Sequence, residues 1–401
     1  MNRPDNGLSP ETFAVLACAQ AVVHPRLRER FRAAVRACTS ADSLCETAVQ
    51  HGMLGHLHKM ISADGDAEYA TFARDRLAEL YRLSAERNLR QTAQLLRLLE
   101  KLRGLGIEAM TIKGPAWAER LFGDVTLRNW VDLDVVVPFE QVSAARAMLL
   151  DAGLRDWDTF DPRLLERETR TEGEVSFASA DNELLIDVHW QIGVGYGSDA
   201  LSAEWLLSRA EPAMLLGREI LAPTATDVLL ITCLHGTRHR WATVESLLAL
   251  AVQVRDLFPE AWETVIDAAS DVGSVRRVTV AVGHVCRVFG LQRPPQVAEA
   301  LSNDGIAQAL LRSLAPESLD PSPLVVGRRQ LTSMLWSVAT EDSIPACVTH
   351  AAERAFRPGP EDWQAVALPA GAEWLYYALR PMRLGVKWAS RLESAKPRKK
   401  T

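Results

Sequence analysis

Three aspartates stand alone in short apolar segments, and they are the residues of this chain best placed to do chemistry. Asp132 and Asp134 lie two apart in Val131-Asp-Leu-Asp-Val-Val-Val137, and Asp187 is the single acid of Leu184-Leu-Ile-Asp-Val-His-Trp190. Both segments have the length and residue types of strands. Side chains two apart on a strand project to the same face, roughly 7 Å from one another. Like charges that close repel, and a divalent cation relieves the repulsion most simply. Oxygen donors without cysteine or histidine beside the Asp-x-Asp suit Mg²⁺, or Mn²⁺, rather than zinc. The bland alternatives are a solvated edge strand for the pair and salt-bridge partners for all three acids. A nearly dry cluster of three acids without cations is costly, which favours the metal site.

The elements that must position these acids follow from the neighbouring pattern. Gly106-Ile-Glu-Ala-Met-Thr-Ile-Lys-Gly-Pro115 predicts a strand ending in a Lys-Gly-Pro turn, and a helix-like stretch follows over 116–122. The order is strand, glycine turn, helix, Asp-x-Asp strand, single-Asp strand. That order supplies a turn able to approach phosphates and three carboxylates able to hold two metal ions, as in-line displacement on a nucleoside triphosphate requires. Gly114 would let the backbone near the β- and γ-phosphates, with Lys113 or Arg128 neutralising their charge; a surface ion pair is the alternative for each cation. His189 shares the face of Asp187 by strand parity. It is read either as an acceptor-positioning group or as a satisfied structural histidine.

With these residues in place, the chain resembles the nucleotidyltransferase superfamily, of the DNA polymerase beta-like fold. More narrowly it is similar to the uncharacterised nucleotidyltransferase family proteins. The resemblance is carried by Ile112-Lys-Gly-Pro-Ala116, Ala118-Glu-Arg-Leu-Phe-Gly-Asp124, Leu127-Arg128, Asp187-Val-His-Trp190, Leu234-His-Gly-Thr-Arg-His-Arg-Trp241 and Leu379-Arg-Pro-Met-Arg-Leu384, so it runs over most of the chain. It implies transfer of a nucleoside monophosphate, Mg²⁺ held by Asp132, Asp134 and Asp187, and a role for Asp187 nearest the acceptor as its base. Three positions depart from the pattern. The usual Gly-Ser or Gly-Gly turn is Gly114-Pro115, Trp130-Val131 replace the small or polar residues expected before the Asp-x-Asp, and Ala249 stands where an acid is expected in the helix after the histidine segment.

Other constellations carry less. His235 and His239 have zinc-protease spacing, but Gly236 replaces the glutamate and no third ligand is evident. Arg238, His239 and Arg240 are read instead as cleft residues touching nucleotide phosphates or acceptor. Gly193-Val-Gly-Tyr-Gly197 is not a dinucleotide fingerprint, because the third glycine falls one position early and no long apolar helix follows. Neither a G-x-S-x-G elbow nor a Walker A loop occurs.

At 401 residues, 48% hydrophobic and 24% charged, the chain is long enough for two or three domains with cores of their own. Its net charge of −6 argues against a surface built wholly to hold nucleic acid. The basic run Lys396-Pro-Arg-Lys-Lys400 reads as a solvated tail. No segment has the length of a membrane span, the N-terminus lacks a signal-peptide order, and six scattered cysteines without a C-x-x-C pair fit free thiols in the cytoplasm.

The expected architecture is α+β, a small mixed-sheet nucleotidyltransferase core embedded in helical N- and C-terminal segments. A helical cap covers 1–103, the α/β core 104–200, a helical domain completing the cleft 201–300, a mostly helical region 301–392 and a basic tail 393–401. Within the cap, the spacing predicts a long helix over 73–102 whose apolar stripe is thinned by Ser84 and Asn88. Glycine C-caps at Gly104 and Gly106 close it, a helix over 139–152 ends at Gly153, and Asp181-Asn182 joins two strands in a hairpin. Thr226 is the expected N-cap of a helix that Gly236 bends. The partners expected are an NTP donor and an acceptor hydroxyl, on a small molecule rather than RNA, with no membrane involved. The alternatives are a toxin-type enzyme acting on a tRNA end and a non-catalytic nucleotide-binding scaffold.

Overall fold

In the computed structural model, residues 7–64, 68–157, 173–193, 201–314, 319, 335–366, 368–369 and 371–394 are described here. Gly195 and Gly197 of the glycine run, Pro316, Pro321 and Pro323, and the run from Lys396 to Lys400 lie outside them.

A five-stranded mixed sheet forms in the order β1-β2-β5-β4-β3, with β1 Met110–Ile112, β2 Leu133–Val136, β3 Arg155–Asp156, β4 Glu174–Ala178 and β5 Leu185–His189. Only β2 and β5 run parallel; every other pairing is antiparallel. All four residues of β2 are buried, so this strand is covered on both faces, which accounts for its near-continuous apolar run. An aspartate there needs a partner. The expected hairpin is present, with Asn182 at φ 60° in its turn, a left-handed conformation that asparagine tolerates better than most residues.

Helices wrap the sheet and extend beyond it. The first four, α1 Pro10–Val23, α2 Arg28–Arg36, α3 Ala41–Gln50 and α4 Leu54–Ser62, are the helices expected in this stretch and pack on one another. The long helix α5, Arg74–Gly104, has 31 residues and so spans about 45 Å. It buries Leu77, Leu95, Leu96, Leu99 and Leu102. The polar residues that thin its stripe are contacts in their own right. Asn88 is buried and its Nδ2 donates to the carbonyls of Val125 (3.1 Å) and Arg128 (2.7 Å). Ser84 donates to Asn129 Oδ1 at 2.6 Å, and Tyr81 shares a 2.8 Å hydrogen bond with Thr126. Those bonds hold the loop that leads into β2. Next come α6 Gly114–Phe122 and α7 Val142–Asp151, the latter followed by Gly153 at φ 88°.

Beyond the sheet, short strands β6 Gln191–Ile192 and β7 Leu201–Ser202 pair, as do β8 Glu211–Leu215 and β9 Arg218–Ala222, with α8 Ala203–Leu207 between the pairs. Helix α9, Ala225–Arg238, differs from expectation at its start. Its N-cap is Thr224, whose hydroxyl accepts from Asp227 N at 3.2 Å, because Asp227 is fully buried against Arg209 and the cap reaches it from there. The helix runs on through Gly236 to Arg238. A Cβ on Gly236 would lie 2.3 Å from the Trp241 ring, so the glycine makes room for a buried indole. The chain turns back at Arg240 and Trp241, both at φ 54°, and α10 begins at Val244 and runs to Asp256. The helical remainder comprises α11 Ala261–Asp271, α12 Val275–Phe289, α13 Pro295–Ser302, α14 Gly305–Ser313, α15 Ile344–Phe356, α16 Pro360–Ala365 and α17 Leu375–Ser394.

Candidate active site

Strand register brings the acids together. In the parallel β2–β5 pair, Asp134 lies opposite Asp187, and in the antiparallel β4–β5 pair Glu174 lies opposite His189 and Ser176 opposite Asp187. Residues directly opposite share a face, so Asp134, Asp187, His189 and Glu174 converge on one side of the sheet. Asp134 is 4% exposed. Its Oδ1 accepts from Lys113 Nζ at 3.1 Å and meets His189 Nε2 at 2.8 Å, while His189 Nδ1 lies 3.1 Å from Glu174 Oε2. The histidine is thus clamped between two carboxylates.

Ionisation follows from that packing. Burial alone would raise the Asp134 carboxyl, but Lys113 and His189 outweigh it and hold the group well below the usual carboxylate range. Burial alone would lower His189, yet its bonds to Asp134 and Glu174 push it up to about 9, so it is an imidazolium at neutral pH. Asp187 moves the other way. Burial, reinforced by the charges of Asp132 and Asp134 and opposed by a Ser176 hydrogen bond, raises it to about 6. Asp132 is half-buried at the mouth of β2 and is raised by burial and by Asp134.

One ligand atom each from Asp134, Asp187 and His189 lies within 4.8 Å of the others. An imidazolium held by two carboxylates has no free lone pair for a cation. The oxygens of Asp134 and Asp187 are hard donors of the kind a divalent ion takes, Asp132 lies outside that close grouping, and burial and neighbouring acids raise both Asp187 and Asp132.

The turn before α6 takes its shape from backbone conformation. Lys113 sits at φ 53° and Gly114 at φ 45°. A Cβ on Gly114 would approach nothing closer than Leu133 Cδ2 at 3.9 Å, so conformation rather than space calls for glycine. A lysine at positive φ costs of order 1–3 kcal/mol, a strain typical of functional turns. Pro115, in the first turn of α6, forgoes an N–H that has no helical partner there anyway.

Arg128 is not free in the cleft. Its Nε is 2.7 Å from Glu245 Oε1, both side chains are close to 90% buried, and its guanidinium lies over the Trp117 ring, 5.4 Å from the centroid. The acid of the helix after the histidine segment is therefore present, but one turn earlier than expected. Ala249 is fully buried, and Glu245 supplies the carboxylate four residues before it. Arg238 and His239 are exposed at the end of α9, with the His239 and His235 rings 4.5 Å apart. His235 lies one turn before His239 on α9. Burial, then the charges of Lys113, His239 and Arg128, keep its imidazole neutral, and Arg238 helps hold Glu174 ionised.

Two residues of this arrangement escape a motif reading, Glu174 and Glu245. Glu174 alone had a usable signal. A turn centred on Asp181-Asn182 puts residues equidistant from it opposite one another, which pairs Glu174 with His189.

A glycine turn, a buried aspartate and its partner on the adjacent parallel strand, all within a small mixed sheet, define an α+β fold of the nucleotidyltransferase type. The chain belongs to the uncharacterised nucleotidyltransferase family, whose family model matches residues 37–290. Among solved structures, the antibiotic-resistance factor ANT(2'')-Ia, determined in solution, aligns at 17% identity over 46% of this chain and 93% of its own, with a TM-score of 0.35. No curated protein matches the chain.

Proposed function

We propose that the protein transfers a nucleoside monophosphate from an NTP to an acceptor hydroxyl, releasing pyrophosphate. The observation that carries this reading is the register that sets Asp134 opposite Asp187 with Lys113 on the shared carboxylate. Asp132, Asp134 and Asp187 would hold Mg²⁺, which supplies charge neutralisation at the phosphates and makes the acceptor hydroxyl more acidic. Asp187, raised to about 6, is suited to take the acceptor's proton near neutral pH. His189 orients Asp134 rather than serving as a ligand, and its second bond to Glu174 fixes the ring.

Lys113, Gly114 and the start of α6 form the triphosphate side of the site. Lys113 exchanges its bond to Asp134 for phosphate oxygens when donor binds. Arg128, engaged with Glu245 and Trp117, supports that wall. Arg238 and His239, exposed at the end of α9, contact the nucleotide from the opposite side. Residues 104–200 carry the chemistry under this reading, 201–300 close the cleft, 1–103 cap it, and 301–392 with the tail 393–401 stand outside the reaction. The acidic chain favours a small-molecule acceptor over RNA. The six cysteines are free and five of them buried, which fits a reducing cytoplasm. No helix among the described residues is long and apolar enough to cross a membrane.

Titration calorimetry with ATP, GTP, CTP and UTP, with and without Mg²⁺, tests the proposal. Metal-dependent binding of one nucleotide, lost in Asp132→Ala/Asp134→Ala, is expected and would name the donor for an acceptor screen. Metal-independent binding that survives those substitutions would overturn it in favour of a nucleotide-binding scaffold.

A further inference from the structure

Between helices α12, α13 and α14 lies a cavity of about 300 Å³ whose lining includes no residue of the site around Asp134. Its base is apolar and fixed by packing. Leu301 and Leu311 are buried there, and a Cβ on Gly283 would come within 3.1 Å of Leu311 Cδ2 and 3.6 Å of Leu301 Cδ2, so the glycine lets α12 close on both leucines. The charged part of the lining is basic. Arg287 comes from α12, Arg293 from the segment between α12 and α13, and Arg312 from α14, and no lining residue is acidic.

Arg287 is held in place. Its Nη2 donates to His284 Nδ1 at 3.1 Å and to the carbonyl of Leu314, which closes α14. His284 is buried, and burial with the charge of Arg287 lowers it to about 3, so its ring stays a neutral acceptor. Arg293 and Arg312 make no hydrogen bond or ion pair with any described residue. The stretch 275–314 holds two acids, and neither serves these arginines. Asp304 accepts from Arg276 and from the first amides of α14, while Glu299 is exposed on α13 outside the lining. The carbonyls that end α13 would repel an anion, but Gln308 Nε2 covers two of them, donating to Leu301 at 3.0 Å and to Ser302 at 3.2 Å.

We propose that this cavity binds a small phosphate-bearing molecule. Three permanently charged, forked guanidiniums match an oxyanion of more than one charge with several acceptor oxygens, which a phosphate group is near neutral pH and a single carboxylate is not. The volume stands at the lower end of ligand pockets, which suits a small ligand. Leu301 and Leu311 offer apolar surface to the carbon part of such a molecule. A polynucleotide is disfavoured by the chain's net charge of −6.

Calorimetry on the full-length protein tests this, in metal-free buffer at physiological ionic strength. Inorganic pyrophosphate is the probe, with citrate as a polycarboxylate and a single-stranded DNA oligonucleotide as a polymer for comparison. Pyrophosphate is expected to bind, and more tightly than citrate. Arg293→Gln/Arg312→Gln, at exposed positions without described partners, is expected to keep the fold and to raise the Kd for pyrophosphate roughly tenfold or more. Lys113→Ala, on the triphosphate side of the other site, is expected to leave that Kd unchanged. Absence of pyrophosphate binding overturns the proposal, as does binding that the arginine pair leaves unaltered or that Lys113→Ala alone abolishes. Tighter binding of citrate would assign the cavity to a polycarboxylate, and binding of the oligonucleotide without pyrophosphate would assign it to nucleic acid; either result also overturns it.

Discussion

Two buried carboxylates in this molecule each hold a histidine and a basic side chain, and they have opposite consequences. Glu341 is fully buried, with Arg277 Nη2 at 2.7 Å and His350 Nδ1 at 2.6 Å on the same oxygen. Asp134 similarly receives Lys113 and His189 on one oxygen. At Glu341 a single acid takes both partners, and the cluster ties α12 to α15. At Asp134 three further acids, Asp132, Asp187 and Glu174, stand nearby, and two of them are pushed up by burial and by neighbouring acids, Asp132 by Asp134 and Asp187 by Asp132 and Asp134. The Glu341 cluster holds the fold together, whereas the acids gathered round Asp134 are raised by burial and by their neighbours, which suits them to the cation that the proposed function gives them.

Substitution at the two carboxylates should therefore separate activity from stability. Asp134→Ala is expected to lower turnover at least about a thousandfold, because several kcal/mol of charge stabilisation go with it, while thermal unfolding shifts little. Glu341→Ala should do the reverse. Leaving Arg277 and His350 without their acid is expected to cost about 3–5 kcal/mol by denaturant unfolding with metal-dependent NTP binding unchanged, and loss of that binding would break the comparison.

The Arg128–Glu245 pair lies between these cases, buried like the one and beside the site like the other. Glu245→Gln is expected to cost about 1–2 kcal/mol of stability and to raise the KM for nucleotide severalfold with kcat nearly unchanged. Equal falls in kcat and kcat/KM would instead put Arg128 in the reaction itself.

The pH dependences are smaller and sharper. Asp187 must lose its proton to bind a cation, so Mg²⁺ affinity measured by calorimetry should fall as pH drops through about 6. His189 is raised above its ordinary 6.5 to about 9, so the stability it adds to the metal-free protein is full below about 6.5 and lost as pH rises through about 9. A His189→Gln protein should lack that alkaline loss in thermal melts.

The core of the fold was legible because its signals are local. The strand carrying Asp134, the hairpin at Asp181-Asn182 and the long helix closed near Gly104 each announce themselves by period and turn chemistry. Strand parity also placed Asp187 and His189 on one face. What parity cannot provide is pairing between distant strands, and the register that sets Asp134 opposite Asp187 is a tertiary fact. The Arg128–Glu245 contact is illegible for the same reason, since it joins a loop to a helix more than a hundred residues away. The missed cap at Thr224 and the room that Gly236 leaves for an indole share a cause: each depends on a buried partner, Asp227 or Trp241, whose position follows from packing.

Helix α5 fastens both acid-bearing strands to one rod. Asn88 grips the loop ahead of β2, and Gln91, less than one turn further on, donates to the Glu183 carbonyl at 2.8 Å just ahead of β5. The separation of Asp134 from Asp187 is thereby gauged twice, once by the ladder between the strands and once by the pitch of a helix that carries no catalytic group. A transplant of this site into another scaffold would have to bring that helix along, because a sheet excised without it keeps the acids but loses the ruler that spaces them.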